Sequence, residues 1–199
     1  MKKENDDYLV SKYPKIFIER NLSMTQTAMC WGFECGDGWF WIIDNLCGCI
    51  QSYIDNNSKK TRIKNRFIRF SMKLIWDLRM KMIWSKYKII SRLSKYLSYN
   101  ILSKIEDRFE KENFESIPQV VVKQVKEKFG TLRFYFDGGD DLIDGMVWLA
   151  EHMTYQCCEK CGSTENIGQT SGWITTLCEK CGQNNPNWKK YGAGEEENK

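Results

Sequence analysis

Histidine and proline are scarce in this sequence of 199 residues, which contains one histidine, His152, and three prolines. Ser-His-Asp and Cys-His catalytic sites need a histidine as general base, so either site would depend on that single residue. His152 falls in a predicted helix, where we expect a half-buried or surface side chain. The sequence therefore gives little support to these two classes of catalysis.

Long uncharged apolar runs are also missing. No stretch approaches the roughly 18 apolar residues that a membrane-spanning helix needs. The first seven residues are mostly charged and lead into no apolar signal segment. We therefore expect a cytoplasmic protein with no transmembrane segment.

Cysteine, in contrast, is abundant. The nine cysteines are an odd number, and four of them form two C-x-x-C pairs. Without a secretion signal, this pattern favours metal binding and reduced thiols over a disulfide framework. We expect a reducing compartment.

The two C-x-x-C pairs predict one metal site. The pattern C-E-K-C-G occurs twice, with 16 residues between the inner cysteines, as in four-cysteine zinc ribbons. Four thiolates fill a tetrahedral coordination sphere, so we expect a structural Zn²⁺ ion and no catalysis there. We expect positive φ angles at the glycine after each pair and a strand from Thr170 to Leu177. The predicted ligands are Cys158, Cys161, Cys178 and Cys181.

The remaining cysteines are interpreted as buried thiols. Cys157 lies beside the first pair, but its spacing fits a ligand less well. Cys47 and Cys49 would point about 200° apart on a helix, which argues against a second site with Cys30 and Cys35.

Charge is segregated along the chain. Residues 59–104 contain 14 basic and one acidic side chain, whereas residues 1–58 contain 5 basic and 8 acidic ones. The basic stretch has no glycine or proline, and its apolar residues recur every three or four positions, which predicts a basic helical hairpin. Its cations fit phosphate contacts with nucleic acid, peripheral contact with an anionic membrane, an acidic protein partner, or simply a solvated face. The candidate contact residues are Lys64, Arg66, Arg69 and Lys73.

The rest of the pattern predicts an α+β fold. A helix is expected from Asp37, its N-cap, to Asn56-Asn57-Ser58. A β-hairpin follows Pro118, with a break at Phe129-Gly130-Thr131 between its strands, and a helix is expected at about 142–155. The predicted organisation is an α+β domain at 1–155 that contains the basic helical hairpin, a zinc ribbon at 156–190 and a disordered tail at 191–199.

A Trp-rich segment, residues 29–41, is the main candidate for a ligand site. We consider a planar, nucleotide-like molecule held between Trp31, Trp39, Arg133 and Tyr135, with Asp37 as a further ligand or partner contact. The same tryptophans could instead belong to the core. A third interpretation joins Asp37 to the carboxylates of residues 137–144 in a metal-dependent hydrolytic site, although carboxylates at a helix start are usually caps.

Four sequence blocks carry a family resemblance. They are Tyr13-Pro14, M-C-W-G-F-E-C-G-D-G-W-F-W at 29–41, K-E-K-F-G-T-L-R-F-Y at 126–135 and G-W-I-T-T-L-C at 172–178. Together they resemble a family of small, mostly uncharacterised phage and prophage proteins. The resemblance covers about half of the chain and leaves out residues 59–112, which implies that the basic hairpin is a helical insertion at about 59–112. It implies a mobile-element origin, and so the cytosol of a host cell, and it brings no catalytic residue.

We therefore expect a non-enzymatic, phage-type accessory protein that binds a host or phage macromolecule, with inhibition of a host defence system as one hypothesis. The alternatives are a protein that sequesters a small nucleotide-like ligand, a nucleic-acid-binding protein and a metal-dependent hydrolase. A closed metal site without a catalytic constellation elsewhere favours the first.

Overall fold

A computed structural model of the chain describes residues 1–83 and 116–191. The chain divides into two compact units, one formed by Met1–Ile54 and Ile117–Lys199 and the other by Asp55–Ser116. Helices and small sheets occur together, which confirms the predicted α+β class. No helix in the described ranges is both long and apolar enough to cross a membrane.

The first unit begins with helix α1, Lys3–Lys12, which ends at Tyr13-Pro14. The Tyr13 hydroxyl donates to the carboxylate of Asp44 at 2.9 Å, and the ammonium of Lys12 lies 2.8 Å from the same carboxylate. Asp44 is buried, so these contacts satisfy a charge that would otherwise be costly to desolvate. They attach α1 to the next helix.

Helix α2, Phe40–Ile83, is longer than predicted. A short 3-10 turn, Asp37–Trp39, precedes it. The predicted end at Asn56-Asn57-Ser58 is wrong, because asparagine and serine cost a helix only a few tenths of a kcal/mol each and no glycine or proline follows them. The predicted apolar face of its first part is confirmed, with buried Ile43, Leu46, Ile50 and Ile54.

The predicted β-hairpin is also confirmed. Strands β2, Val121–Lys128, and β3, Thr131–Asp137, pair in antiparallel fashion. Their turn places Phe129 and Gly130 at positive φ angles of 55° and 77°, as a tight two-residue hairpin requires. Strand β1, Phe33–Glu34, is not among the predicted elements and pairs in parallel with β2.

Helix α3, Asp141–Met153, covers this three-stranded sheet. The carboxylate of Asp140 accepts from the backbone N–H of Ile143 and caps the helix. The prediction that a carboxylate at this helix start acts as a cap is therefore confirmed for Asp140. Farther along, the Glu151 carboxylate accepts from the Phe134 N–H and the Thr154 hydroxyl accepts from the Leu132 N–H. These bonds satisfy the outer edge of β3.

The C-terminal part forms a second small sheet. Strands β4, Ile167–Thr170, β5, Thr176–Cys178, and β6, Trp188–Lys190, lie in the order β5-β4-β6. A helical turn, α4, Glu179–Gly182, follows β5. The predicted continuous strand from Thr170 to Leu177 is wrong, because the chain reverses there at Gly172, whose φ is +84°.

In the second unit, the described residues continue α2 as far as Ile83. The remainder of the predicted basic insertion, residues 84–112, and most of the predicted tail, residues 192–199, lie outside the described residues. The predicted domain boundaries stay predictions.

Candidate metal centre

Four cysteine sulfurs converge at the start of the C-terminal sheet. The Sγ atoms of the four predicted ligands all lie within 4.8 Å of one another, and those of Cys161 and Cys178 are 3.6 Å apart. A tetrahedral ion with metal–sulfur bonds of about 2.3 Å would hold its sulfurs about 3.8 Å apart. The arrangement therefore fits a four-thiolate metal site formed by Cys158, Cys161, Cys178 and Cys181.

Each pair is held by a tight turn. In the first, the Gly162 N–H donates to the Cys158 carbonyl at 2.8 Å, and Gly162 has the expected positive φ of 76°. In the second, Gly182 does not have a positive φ. Its role is to make space, since an added Cβ would lie 2.4 Å from the Trp188 ring.

The thiols of the cluster differ in acidity. Burial opposes ionisation of Cys158, but N–H donors from Cys178 and Cys161 outweigh it and lower the pKa of that thiol. Burial and thiol neighbours raise the pKa of Cys181 to about 12. Metal binding must therefore displace protons from the cluster, which makes metal affinity dependent on pH.

The fifth nearby cysteine does not belong to the cluster. The Cys157 sulfur lies within hydrogen-bond distance of the carbonyl oxygens of Gly38 and Gly162, at 3.7 and 3.6 Å, and its S–H can donate to either. Burial raises its pKa to about 11. Cys157 thus lies outside the ligand set, in keeping with the spacing argument.

The Trp-rich segment packs directly against the first knuckle, which is formed by residues 157–162. The Glu159 carbonyl accepts from the Gly38 N–H at 2.8 Å, and the Glu159 carboxylate accepts from the Gly36 N–H at 3.0 Å. A Cβ on Gly36 would lie 2.2 Å from the Glu159 carbonyl oxygen, and one on Gly38 would lie 2.1 Å from that of Cys158. Only glycine allows the two backbones to approach this closely.

This packing was missed from the sequence. The alternative in which the tryptophans belong to the core holds for Trp39, but the contact of Gly36, Gly38 and Trp39 with the metal centre is not among the predictions. The signal was present, because two glycines separated by one residue before a helix indicate close backbone approach as readily as a ligand.

The predicted ligand site between Trp31, Trp39, Arg133 and Tyr135 is wrong, because Trp39 is not accessible to a ligand. Trp39 is fully buried, and its indole N–H donates to the Cys157 carbonyl at 3.0 Å. Trp31 is 64% exposed. Arg133 and Tyr135 lie on the outer face of the sheet, where the ammonium of Lys126 lies over the Tyr135 ring.

Asp37, Asp137 and Asp140 each contact a different partner. Asp37 does not cap its own helix. It accepts from the Lys2 N–H and the Asn5 side chain at the start of α1, which lowers its pKa. Asp140 caps α3 and accepts from the Tyr53 hydroxyl, while Asp137 pairs with Lys123. Within residues 1–83 and 116–191, the cysteine cluster is the only group of three or more His, Cys, Asp or Glu side chains that lie close enough together to hold a metal ion.

His152 has a surface position. Its ring stacks on Trp148, with centroids 3.9 Å apart, and its Nδ1 lies 2.8 Å from the Trp148 carbonyl oxygen. This agrees with the expectation of a surface or half-buried residue.

A surface groove of about 750 Å³ lies beside the centre, between α2, α3 and the first knuckle. Its lining is mainly apolar, and Trp41 and Leu149 are largely exposed in it. Asp37 is the one predicted ligand-binding residue that lines it. The main lining residues are Phe40, Trp41, Leu46, Leu149, Met153 and Cys161.

The predicted cationic contact residues all lie on α2. Lys64, Arg66, Arg69 and Lys73 are exposed there. The same helix also has exposed apolar side chains.

Comparisons of the chain with protein-family models, with curated proteins and with solved structures gave no significant match. The resemblance to phage proteins therefore stays a prediction.

Proposed function

We propose that this protein is a non-enzymatic binding protein whose cysteine cluster holds one structural Zn²⁺ ion. The donor set supports zinc, since four thiolates in a tetrahedral arrangement are typical surroundings of structural zinc in proteins. Such a site has no open position for water or substrate. Its role is to fold the C-terminal sheet and to fix it against Gly36, Gly38 and Trp39.

The observation that carries the binding proposal is the separation of the chemical groups. Three of the acidic side chains considered for hydrolysis, Asp37, Asp137 and Asp140, have structural partners in different places, and the four sulfurs suffice to fill a tetrahedral coordination sphere. Two regions of the described surface are suited to contact with a partner. They are the apolar groove beside the centre and the exposed cationic and apolar side chains of α2. Both are features of proteins that bind other macromolecules or surfaces.

The proposed biological setting is a mobile genetic element. A phage-type accessory protein would act in the cytosol of its host on a host or phage macromolecule, and interference with host defence is one form this could take. The four sequence blocks that resemble phage proteins support this setting.

Capture from infected cells tests the proposal. Tagged wild-type protein would be cross-linked in cells and its partners quantified by mass spectrometry, alongside a groove variant, Trp41→Gln with Leu149→Gln, and an α2 variant, Phe67→Gln with Phe70→Gln. Trp173→Gln is the control, because this side chain is 83% exposed, does not line the groove and is not part of α2. We expect a discrete partner set that one of the two surface variants loses and the control retains.

If both the groove variant and the α2 variant retain every partner, the proposed contact surfaces are contradicted. Turnover of a nucleotide or nucleic acid by the purified protein that required Asp37 or Asp140 would contradict the non-enzymatic assignment.

A further inference from the structure

The α2 helix carries an apolar stripe on its solvent side. Ile63, Phe67, Phe70 and Leu74 are each between 52% and 69% exposed. At about 100° per residue they fall within roughly 60° of one another around the helix, and they extend about 16 Å along it. Four large apolar side chains in one exposed line form a contiguous patch, unlike apolar residues scattered singly over a surface.

A row of cations lies beside this stripe. Arg62, Arg66, Arg69 and Lys73 are exposed and follow the same helical repeat, displaced by about 90° from the stripe. From residue 59 to residue 81 the helix has nine basic residues and one acidic residue, Asp77. We call the stripe and the row together the α2 surface.

The α2 surface lies on the opposite side of the helix from its buried residues. Its opposite side carries Thr61, Asn65, Ile68 and Met72, which are buried or half-buried. The helix therefore has one side turned towards protein and another that exposes apolar and cationic groups. An amphipathic helix with this division is typical of proteins that lie on a membrane interface.

We propose that the α2 surface binds the surface of an anionic lipid membrane. The apolar stripe would enter the boundary between head groups and acyl chains, and the adjacent cations would contact lipid phosphates. This inference rests on the proposed binding function and names the partner of one of its surfaces.

Two other occupants fit less well. Nucleic acid would use cations and aromatic rings, but Ile63 and Leu74, at the ends of the stripe, cannot stack on bases. A second copy packed along the stripe would bring Lys59 of one helix near Lys64 of the other, and such like charges repel. An anionic membrane satisfies both the apolar and the cationic residues.

Vesicle binding by the full-length chain tests the inference. Binding would be measured by co-sedimentation with phosphatidylcholine vesicles and with vesicles containing about one-third phosphatidylglycerol. We expect binding to the anionic vesicles only, weakening as salt is raised. Replacing three cations, in Arg62→Gln with Arg66→Gln and Arg69→Gln, should weaken it about 100-fold.

Two variants separate the contributions of charge and apolar area. Phe67→Gln with Phe70→Gln should weaken binding roughly tenfold or more at unchanged charge. Lys3→Gln with Lys128→Gln and Lys189→Gln removes the same number of exposed cations outside α2 and should retain most of the affinity. Circular dichroism would verify that every variant keeps its helix content.

Several outcomes would overturn the inference. These are no affinity for anionic vesicles at low salt, equal losses in the α2 and control variants, and binding that RNA or DNA displaces while the phenylalanine changes leave it unaltered. If vesicles fail to bind but capture from cells still requires the α2 surface, the membrane inference falls and the proposed binding function stands with a protein or nucleic-acid partner.

Discussion

The indole N–H of Trp39 donates to the carbonyl oxygen of Cys157 at 3.0 Å, and this bond joins the start of α2 to the residue before the first cluster cysteine. Both residues are buried. A buried hydrogen bond at this point fixes the candidate metal centre on the main core.

Removal of this bond should destabilise the first unit. Trp39→Phe leaves a buried carbonyl without its donor and creates a small cavity, so we expect the free energy of unfolding to fall by about 2–4 kcal/mol. Trp41→Phe, at a position 68% exposed, should change it by less than about 0.5 kcal/mol. Urea denaturation followed by tryptophan fluorescence measures both, and equal effects would refute the structural role of Trp39.

The close approach at Gly38 gives a second prediction. Gly38→Ala places a methyl group where only 2.1 Å separates it from the Cys158 carbonyl oxygen, so the knuckle must shift. We expect zinc affinity to fall about tenfold or more, as for other changes that move metal ligands. Competition with a chromogenic chelator measures the affinity.

Gly145→Ala is the matched control for this change. Gly145 lies within α3 with no atom within 4 Å of an added Cβ, so alanine should stabilise the helix by up to about 1 kcal/mol and leave zinc affinity unchanged. A Gly38→Ala protein with wild-type zinc affinity would show that the backbones are not in contact.

Tyr13 should make stability depend on alkaline pH. Burial, followed by the hydrogen bond to Asp44, raises the pKa of Tyr13 to about 12, from an ordinary value of about 10. Because the folded state holds this proton more tightly, its contribution is complete below about pH 10 and is lost as pH rises towards 12.

Tyr13→Phe removes that proton. Unfolding free energies measured from pH 9 to pH 12 should therefore decline more steeply for wild type than for the variant, so the gap between them narrows as pH rises. Parallel curves would mean that Tyr13 ionises equally well in the folded and unfolded states.

The reactivity of two cysteine thiols tests which face of α2 is buried. Cys47 is buried, and burial raises its pKa, whereas Cys49, two residues later, is exposed. Because the exposed thiolate is the reactive form, iodoacetamide should modify Cys49 at least about 100-fold faster than Cys47. Peptide mass spectrometry measures both rates, a sample unfolded in urea gives the reference, and similar rates in the folded protein would contradict the helix phase.

Local patterns made much of this fold predictable. The spacing of the cysteine pairs identified the sulfur cluster, the alternation after Pro118 identified the hairpin, and the helical repeat from Trp39 to Ile54 identified the buried face of α2. Each signal is a spacing of residues along one continuous stretch of the chain, so it does not depend on contacts between distant segments.

What was missed depends on contacts between distant residues. Strand β1 has two residues and exists because Phe33 pairs with Val125, about ninety positions later. Likewise, the role of Gly36 and Gly38 is set by Glu159. No periodicity within the segment 29–41 distinguishes a glycine that approaches a ligand from one that approaches another backbone.

The extent of α2 shows the limit of local signals for helix ends. Asn56, Asn57 and Ser58 are common at helix ends, but their intrinsic cost is small and the following residues favour helix. The helix therefore continues to Ile83.

X-ray absorption spectroscopy at the zinc edge, on protein purified without added metal, tests the central claim most directly. We predict about one zinc per chain with four sulfur neighbours at about 2.3 Å and no oxygen or nitrogen ligand. A sample without zinc, or a spectrum that requires a light-atom ligand, would contradict a closed structural site.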